Sequence, residues 1–152
     1  MMIKAYSPLF LLLIFSCCVV NTKAQELHKL ILTVDIDSPN QQEKQSLSSE
    51  SNTSFLIKSK GENFTVWANV GDSVLWKAKS SDKSTDPINI IGVHYVSGPR
   101  IFTSNTLTGD GTITATIVRG GEEDYVYDLL YTIGSDPEIY TITAAIKTKF
   151  SN

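Results

Sequence analysis

The stretch "NFTVWANVGDSVLWKAKSSD", residues 63–82, decides the fold class. On either side of Gly71-Asp72 the apolar residues recur every second position, the period of a strand whose side chains alternate between faces. The segment therefore reads as two strands joined by a tight turn. Phe64, Val66, Ala68 and Val70 share one face of the first strand, which leaves Trp67 with Thr65 and Asn69 on the other. In the second strand Trp76 shares a face with Val74 and Ala78. Parity thus separates the two tryptophans. Trp76 is expected in the core, its indole N–H bonded to a neighbouring strand; Trp67 is expected at least partly exposed.

Most of the remaining chain has the same period. "LHKLILTVDI" (27–36) aligns Leu30, Leu32, Val34 and Ile36; "GTITATIV" (111–118) aligns Ile113, Ala115 and Ile117. "DYVYDLLYTI" (124–133) sets Tyr125, Tyr127, Leu129, Tyr131 and Ile133 on one face, and "IYTITAAIKTKF" (139–150) does so for Tyr140, Ile142, Ala144 and Ile146. "TSFLIKS" (53–59) and "INIIGVHYV" (88–96) read as further strands. β-Branched and aromatic residues dominate, punctuated by Gly, Asp, Asn and Pro. No stretch keeps helical periodicity over three turns. The pattern predicts an all-β domain, a single antiparallel β-sandwich of about eight strands.

The first 24 residues read differently. Lys4, the apolar run from Leu9 to Val20 and the small residues Thr22 and Ala24 form a secretory signal peptide, with cleavage expected after Ala24. A lipid anchor at Cys17 is the alternative, since "IFSC" loosely resembles a lipobox. Residues 25–152 then form the sandwich domain, exported to the periplasm or the extracellular space. Both cysteines, Cys17 and Cys18, leave with the signal, so no disulfide supports the core. Loss of Lys4 and Lys23 moves the formal charge from −3 to about −5. Such an acidic chain without a basic cluster is a poor partner for nucleic acid or anionic lipid, and the exported part carries no integral membrane segment. The Ser- and Gln-rich segment 37–54 lacks apolar periodicity and reads as a polar mobile loop.

The chemistry of the chain is mostly exclusion. A turn of the form "VGDSVLW" also opens a strand in cupredoxins, but a blue-copper site needs a cysteine thiolate and two histidines. Beyond the signal there is neither Cys nor Met, and only His28 and His94. A histidine-based zinc site lacks ligands for the same reason. For a serine nucleophile the base would have to be His94, read here as an ordinary strand residue. Asp35 with Asp37, or Glu122 to Asp124, supplies paired carboxylates in the style of a glycoside hydrolase. The same acids with Asp110 raise a calcium reading, although no EF-hand loop is present. "NTS" at Asn52 and "NFT" at Asn63 match the N-glycosylation pattern; the signal's short style points to a bacterial source, where they are chance matches.

Several of these stretches together resemble a known family. "LHKLILTVDID", "FLIKSKG", "ANVGDSVLWKAKSS", "INIIGVHYVSG" and "DYVYDLLYTI" resemble, in this order, the bacterial inclusion-body proteins of the AidA/PixA type. Leu75 stands where that family has a basic residue before the tryptophan, and "SDPEIYTITAAIKTKF" lacks its closing tryptophan motif. The resemblance implies a metal-free β-sandwich without established catalytic residues that accumulates or self-associates. A second, cupredoxin-like resemblance implies much the same sandwich without copper.

The functional expectation is an exported, non-enzymatic β-sandwich that needs no cofactor or metal and binds a carbohydrate or protein partner. Trp67, flanked by Thr65 and Asn69, is the candidate contact. The alternative is a structural envelope or extracellular protein that forms homo-oligomers through "GTITATIV" and "IYTITAAIKT", with Lys147 and Lys149 guarding the last strand. A carboxylate-based glycoside hydrolase is the third reading.

Overall fold

The computed structural model describes residues 24–39, 45–50, 56–57, 64–81 and 86–149. Residues 1–23, Cys17 among them, and the asparagines of both glycosylation motifs, Asn52 and Asn63, lie outside them. The described residues contain no helix. They form ten strands: β1 Leu27–Val34, β2 Gln45–Ser49, β3 Leu56–Ile57, β4 Phe64–Asn69, β5 Ser73–Ser80, β6 Ile88–Ser97, β7 Thr106–Gly111, β8 Ile113–Thr116, β9 Tyr125–Ile133 and β10 Tyr140–Lys149. One sheet has the order β2-β1-β5-β8 and the other β3-β4-β10-β9-β6-β7. The two pack face to face as an all-β sandwich.

The sheets are mixed where the sequence suggested antiparallel pairing throughout. β1 and β5 run parallel, with Leu30 opposite Trp76, and β4 and β10 run parallel, with Trp67 opposite Lys147. The cause is connectivity. β1 and β5 are separated in sequence by strands that visit the other sheet, and such a crossover brings β5 back beside β1 in the same direction. A reading that joins each strand to its successor by a hairpin cannot see this.

Two strands escaped the periodicity. β2 falls inside the segment read as a mobile loop: Gln45 and Leu47 point inward and Ser46 and Ser48 outward, so one apolar side chain is all that marks the strand. β7 is an exposed edge with only Leu107 against the core. Val70, assigned to the core face of β4, is instead exposed in the turn to β5. β10, expected to be an edge, lies between β4 and β9.

The inward faces are otherwise those the alternation predicts. Tyr125, Tyr127, Leu129, Tyr131 and Ile133 of β9 are all buried, as are Tyr140, Ile142, Ala144 and Ile146 of β10. In β6 the parity changes: Ile88 and Ile90 are buried, then a register shift between Ile90 and Gly92 hands the inward face to Val93. One extra residue in a strand has this effect.

Trp76 is wholly buried, as expected from β5. Its Nε1–H donates to the Tyr127 hydroxyl across the two sheets at 3.0 Å, and its ring meets Phe102 and Tyr127 edge-on, both at 5.7 Å. Tyr125 stacks on Tyr127 in the same layer. Its hydroxyl is buried without a hydrogen-bond partner among the described residues, and burial, with the nearby Tyr95, pushes its pKa up to about 12.

The two tyrosines should respond oppositely to loss of the hydroxyl. Tyr127→Phe strands the buried indole N–H and should cost about 1–3 kcal/mol. Tyr125→Phe removes a group that gains nothing from being buried and should be neutral or stabilising. Urea unfolding of both variants checks the pair; a larger loss for Tyr125→Phe would contradict this account of the core.

Candidate functional site

The outer face of the six-stranded sheet carries the aromatic candidate. Trp67 is only partly buried on β4, and its partner in parallel register on β10 is Lys147. The Lys147 ammonium sits 5.2 Å from the centre of the indole ring and 3.8 Å from an Asp124 carboxylate oxygen. Trp67, Lys147 and Asp124 therefore form one amphipathic patch: an aromatic plane, a cation over it and an acid beside the cation. Thr65 is on the same face, two residues along β4.

Asn69, expected to flank Trp67 together with Thr65, is engaged elsewhere. Its backbone N–H and its side-chain amide both donate to Asp72 Oδ2, at 2.8 and 3.1 Å. The side chain is thus engaged at the β4–β5 corner, whereas Lys147 takes the place beside the ring. Lys147 was read only as a guard of a strand edge. Its true neighbour could be identified only with the parallel register in hand.

Asp72 organises that corner. It is 4% exposed and also accepts from the Glu26 backbone N–H at 3.1 Å and from His28 Nε2 at 2.9 Å. His28 is itself 2% exposed. Burial alone would raise the Asp72 pKa, but the bonds from His28, Asn69 and Glu26 outweigh it and hold the carboxyl below its ordinary range. His28 is therefore the histidine built into the fold, in place of His94, which is exposed on β6 opposite Asp128. The signal for this was present: His28 has the same parity as Leu30, Leu32 and Val34.

The remaining candidates do not converge. Asp35 Oδ1 accepts the backbone N–H of Asp37, an ordinary turn contact in which one acid orders the next residue. Asp110 is in edge strand β7. Among the described residues no group of three or more His, Cys, Asp or Glu is arranged to hold a metal ion. Nor, among the described residues, is any helix long and apolar enough to cross a membrane.

Asp72 gives the stability a defined pH dependence. Because its pKa is lower folded than unfolded, its contribution is complete above the unfolded value of about 4 and is lost as pH falls through the folded one. Asp72→Asn should cost roughly 1.5–3 kcal/mol at neutral pH and unfold less steeply with acid below about pH 4. Denaturant midpoints from neutral to acid pH measure both effects; an unchanged acid slope would contradict the assignment.

No protein-family model and no curated protein matches the chain. Among solved structures, the inclusion body protein PixA from Burkholderia cenocepacia superposes with a TM-score of 0.59 at 14% identity, over 85% of this chain and 99% of that one. The McoA multicopper oxidase from Aquifex aeolicus matches with a TM-score of 0.30 at 12% identity, over 84% of this chain but 30% of its own. The second likeness is too low to carry an argument. The first covers nearly the whole of its counterpart and shows that this chain has the β-sandwich fold of the PixA inclusion body protein.

Proposed function

We propose that the protein is an exported, non-catalytic binding module whose contact surface is the Trp67 face of the six-stranded sheet. The observation that carries this reading is the placement of a partly exposed indole beneath Lys147, on the outer face of the six-stranded sheet. A flat aromatic with a cation above it suits a sugar ring or a polar segment of a partner protein, because the indole supplies apolar area and the lysine a directed charge. Strands on either side fix the spacing, so little ordering is required when the ligand arrives. The scattered carboxylates and the exposed position of His94 favour binding over a hydrolytic reaction.

A second reading is self-association. Its support is β8, which forms an edge of the four-stranded sheet and presents uncharged Thr114 and Thr116 outward. Unpaired strand edges invite pairing with another chain, and the similar fold from Burkholderia belongs to an inclusion body protein. β10 has no such edge to offer.

A glycan array on the exported domain, followed by titration, tests the first reading. Trp67→Ala should abolish binding while changing stability by less than about 1 kcal/mol, whereas Trp76→Ala should cost about 3–5 kcal/mol. Equal stability losses would place Trp67 in a structural role. Sedimentation over a range of concentrations decides the second reading: a strict monomer counts against it, and reversible association removed by a charged residue at Thr114 supports it.

A further inference from the structure

We propose that the protein pairs with a second copy of itself along the free edge of β8, antiparallel and about a two-fold axis at Ala115, so that the two four-stranded sheets join into one continuous sheet. This pairing rests on the self-association reading above and gives it a direction and a register.

The ladder inside the sheet decides which groups face outward. Ile117 donates its N–H to the Asp72 carbonyl and accepts from the Gly71 N–H, both at 2.8 Å, so its backbone is turned toward β5. From there the register sets Thr116 opposite Ser73, Ala115 opposite Val74, Thr114 opposite Leu75 and Ile113 opposite Trp76. In an antiparallel ladder alternate residues bond across, and those between them turn their N–H and C=O the other way. Ala115 and Ile113 therefore bond to β5 as Ile117 does, and Thr114 and Thr116 present their backbone groups at the open edge. Both threonines are exposed, and β8 is the outermost strand of its sheet among the described residues. The edge has fixed ends. Val118 gives its N–H to the Ile101 carbonyl at 2.8 Å on one side, and Thr112 bridges to Asp110 on the other.

An open edge of this kind accepts another strand, and its sequence says which. Thr114-Ala115-Thr116 reads the same in either direction, so a second copy turned by half a rotation offers the same groups in the order required. Thr114 then exchanges both of its bonds with Thr116 of the second copy, and Thr116 does so with Thr114 of the second copy, while the two Ala115 residues face each other across the axis. The outward side chains meet as Thr–Thr pairs, a favourable cross-strand combination. No charged residue stands on β8 to oppose a copy of the same net charge. β7, the edge of the other sheet, is a poorer candidate: it carries Asp110, Gly109 and Gly111, and its register against β6 shifts between Ile90 and Gly92. Charges and bulges blunt an edge.

Because the edge is closed at Val118 the contact is short, and a dissociation constant on the order of 0.1–1 mM is expected. Beyond the first 24 residues the chain has no cysteine, so single cysteines report the register. Across the two-fold axis the Ala115 α-carbons lie about 4.5 Å apart, within disulfide reach, and the Thr114 α-carbons roughly 8 Å apart, beyond it. Under mild oxidation Ala115→Cys should form a linked dimer, and Thr114→Cys, although more exposed, should not. Thr114→Pro removes one N–H from the open edge and leaves the bonds to β5 in place, so it should weaken dimerisation by about tenfold or more while the domain stays folded. Sedimentation up to about 1 mM protein measures this, with the near-ultraviolet circular dichroism of Trp76 as the check of folding. A strict monomer at that concentration overturns both self-association and this pairing. Dimerisation undiminished in folded Thr114→Pro, or linkage of Thr114→Cys as fast as that of Ala115→Cys, leaves self-association standing and overturns the β8 pairing.

Discussion

The buried carboxylate of Asp72 is the constraint on which the arrangement of the two sheets depends. One side chain receives the end of β4 through Asn69, the approach to β1 through Glu26, and the ring of His28 from β1 itself. The backbone of Asp72 adds β8, because the Ile117 N–H donates to its carbonyl at 2.8 Å. β4 belongs to one sheet and β1, β5 and β8 to the other, so a single residue ties both layers at the point where the chain passes between them. Gly71, at φ +96°, makes the sharp passage feasible without side-chain strain. An unpaired carboxylate here would be costly; surrounded by donors, it fixes a corner that apolar contacts alone would leave free to slide.

A second tie works at mid-height. Trp76 and Tyr127 join the sheets through a hydrogen bond inside a layer of edge-on and stacked rings. Aromatic pairs in these geometries contribute about 0.5–1.5 kcal/mol beyond the area they bury. The indole is thereby oriented as well as buried. Corner and layer together set the register in which the outer faces, Trp67 among them, meet solvent.

Much of this was legible in the sequence because alternation is a local property. The inward faces of β1, β9 and β10 could be assigned residue by residue, and parity alone separated Trp76 from Trp67. What stayed hidden was non-local or weakly apolar. β2 has Leu47 as its one apolar inward residue, and β7 has Leu107. The bulge in β6 reverses parity without a change of composition. The partnership of Trp67 with Lys147 depends on parallel pairing across about 80 positions of sequence. His28 shows a different kind of miss: its parity was plain, but a histidine at a strand start draws attention only when its buried partner is known.

The central place of β10 has a consequence for how the larger sheet closes. Without it, the larger sheet divides into β3-β4 on one side and β9-β6-β7 on the other, with nothing between them. That sheet therefore cannot close until β10 has paired on both sides, and until then one edge of β9 has no strand beside it. Closure of the larger sheet is thus governed by long-range pairing, which is intrinsically slow.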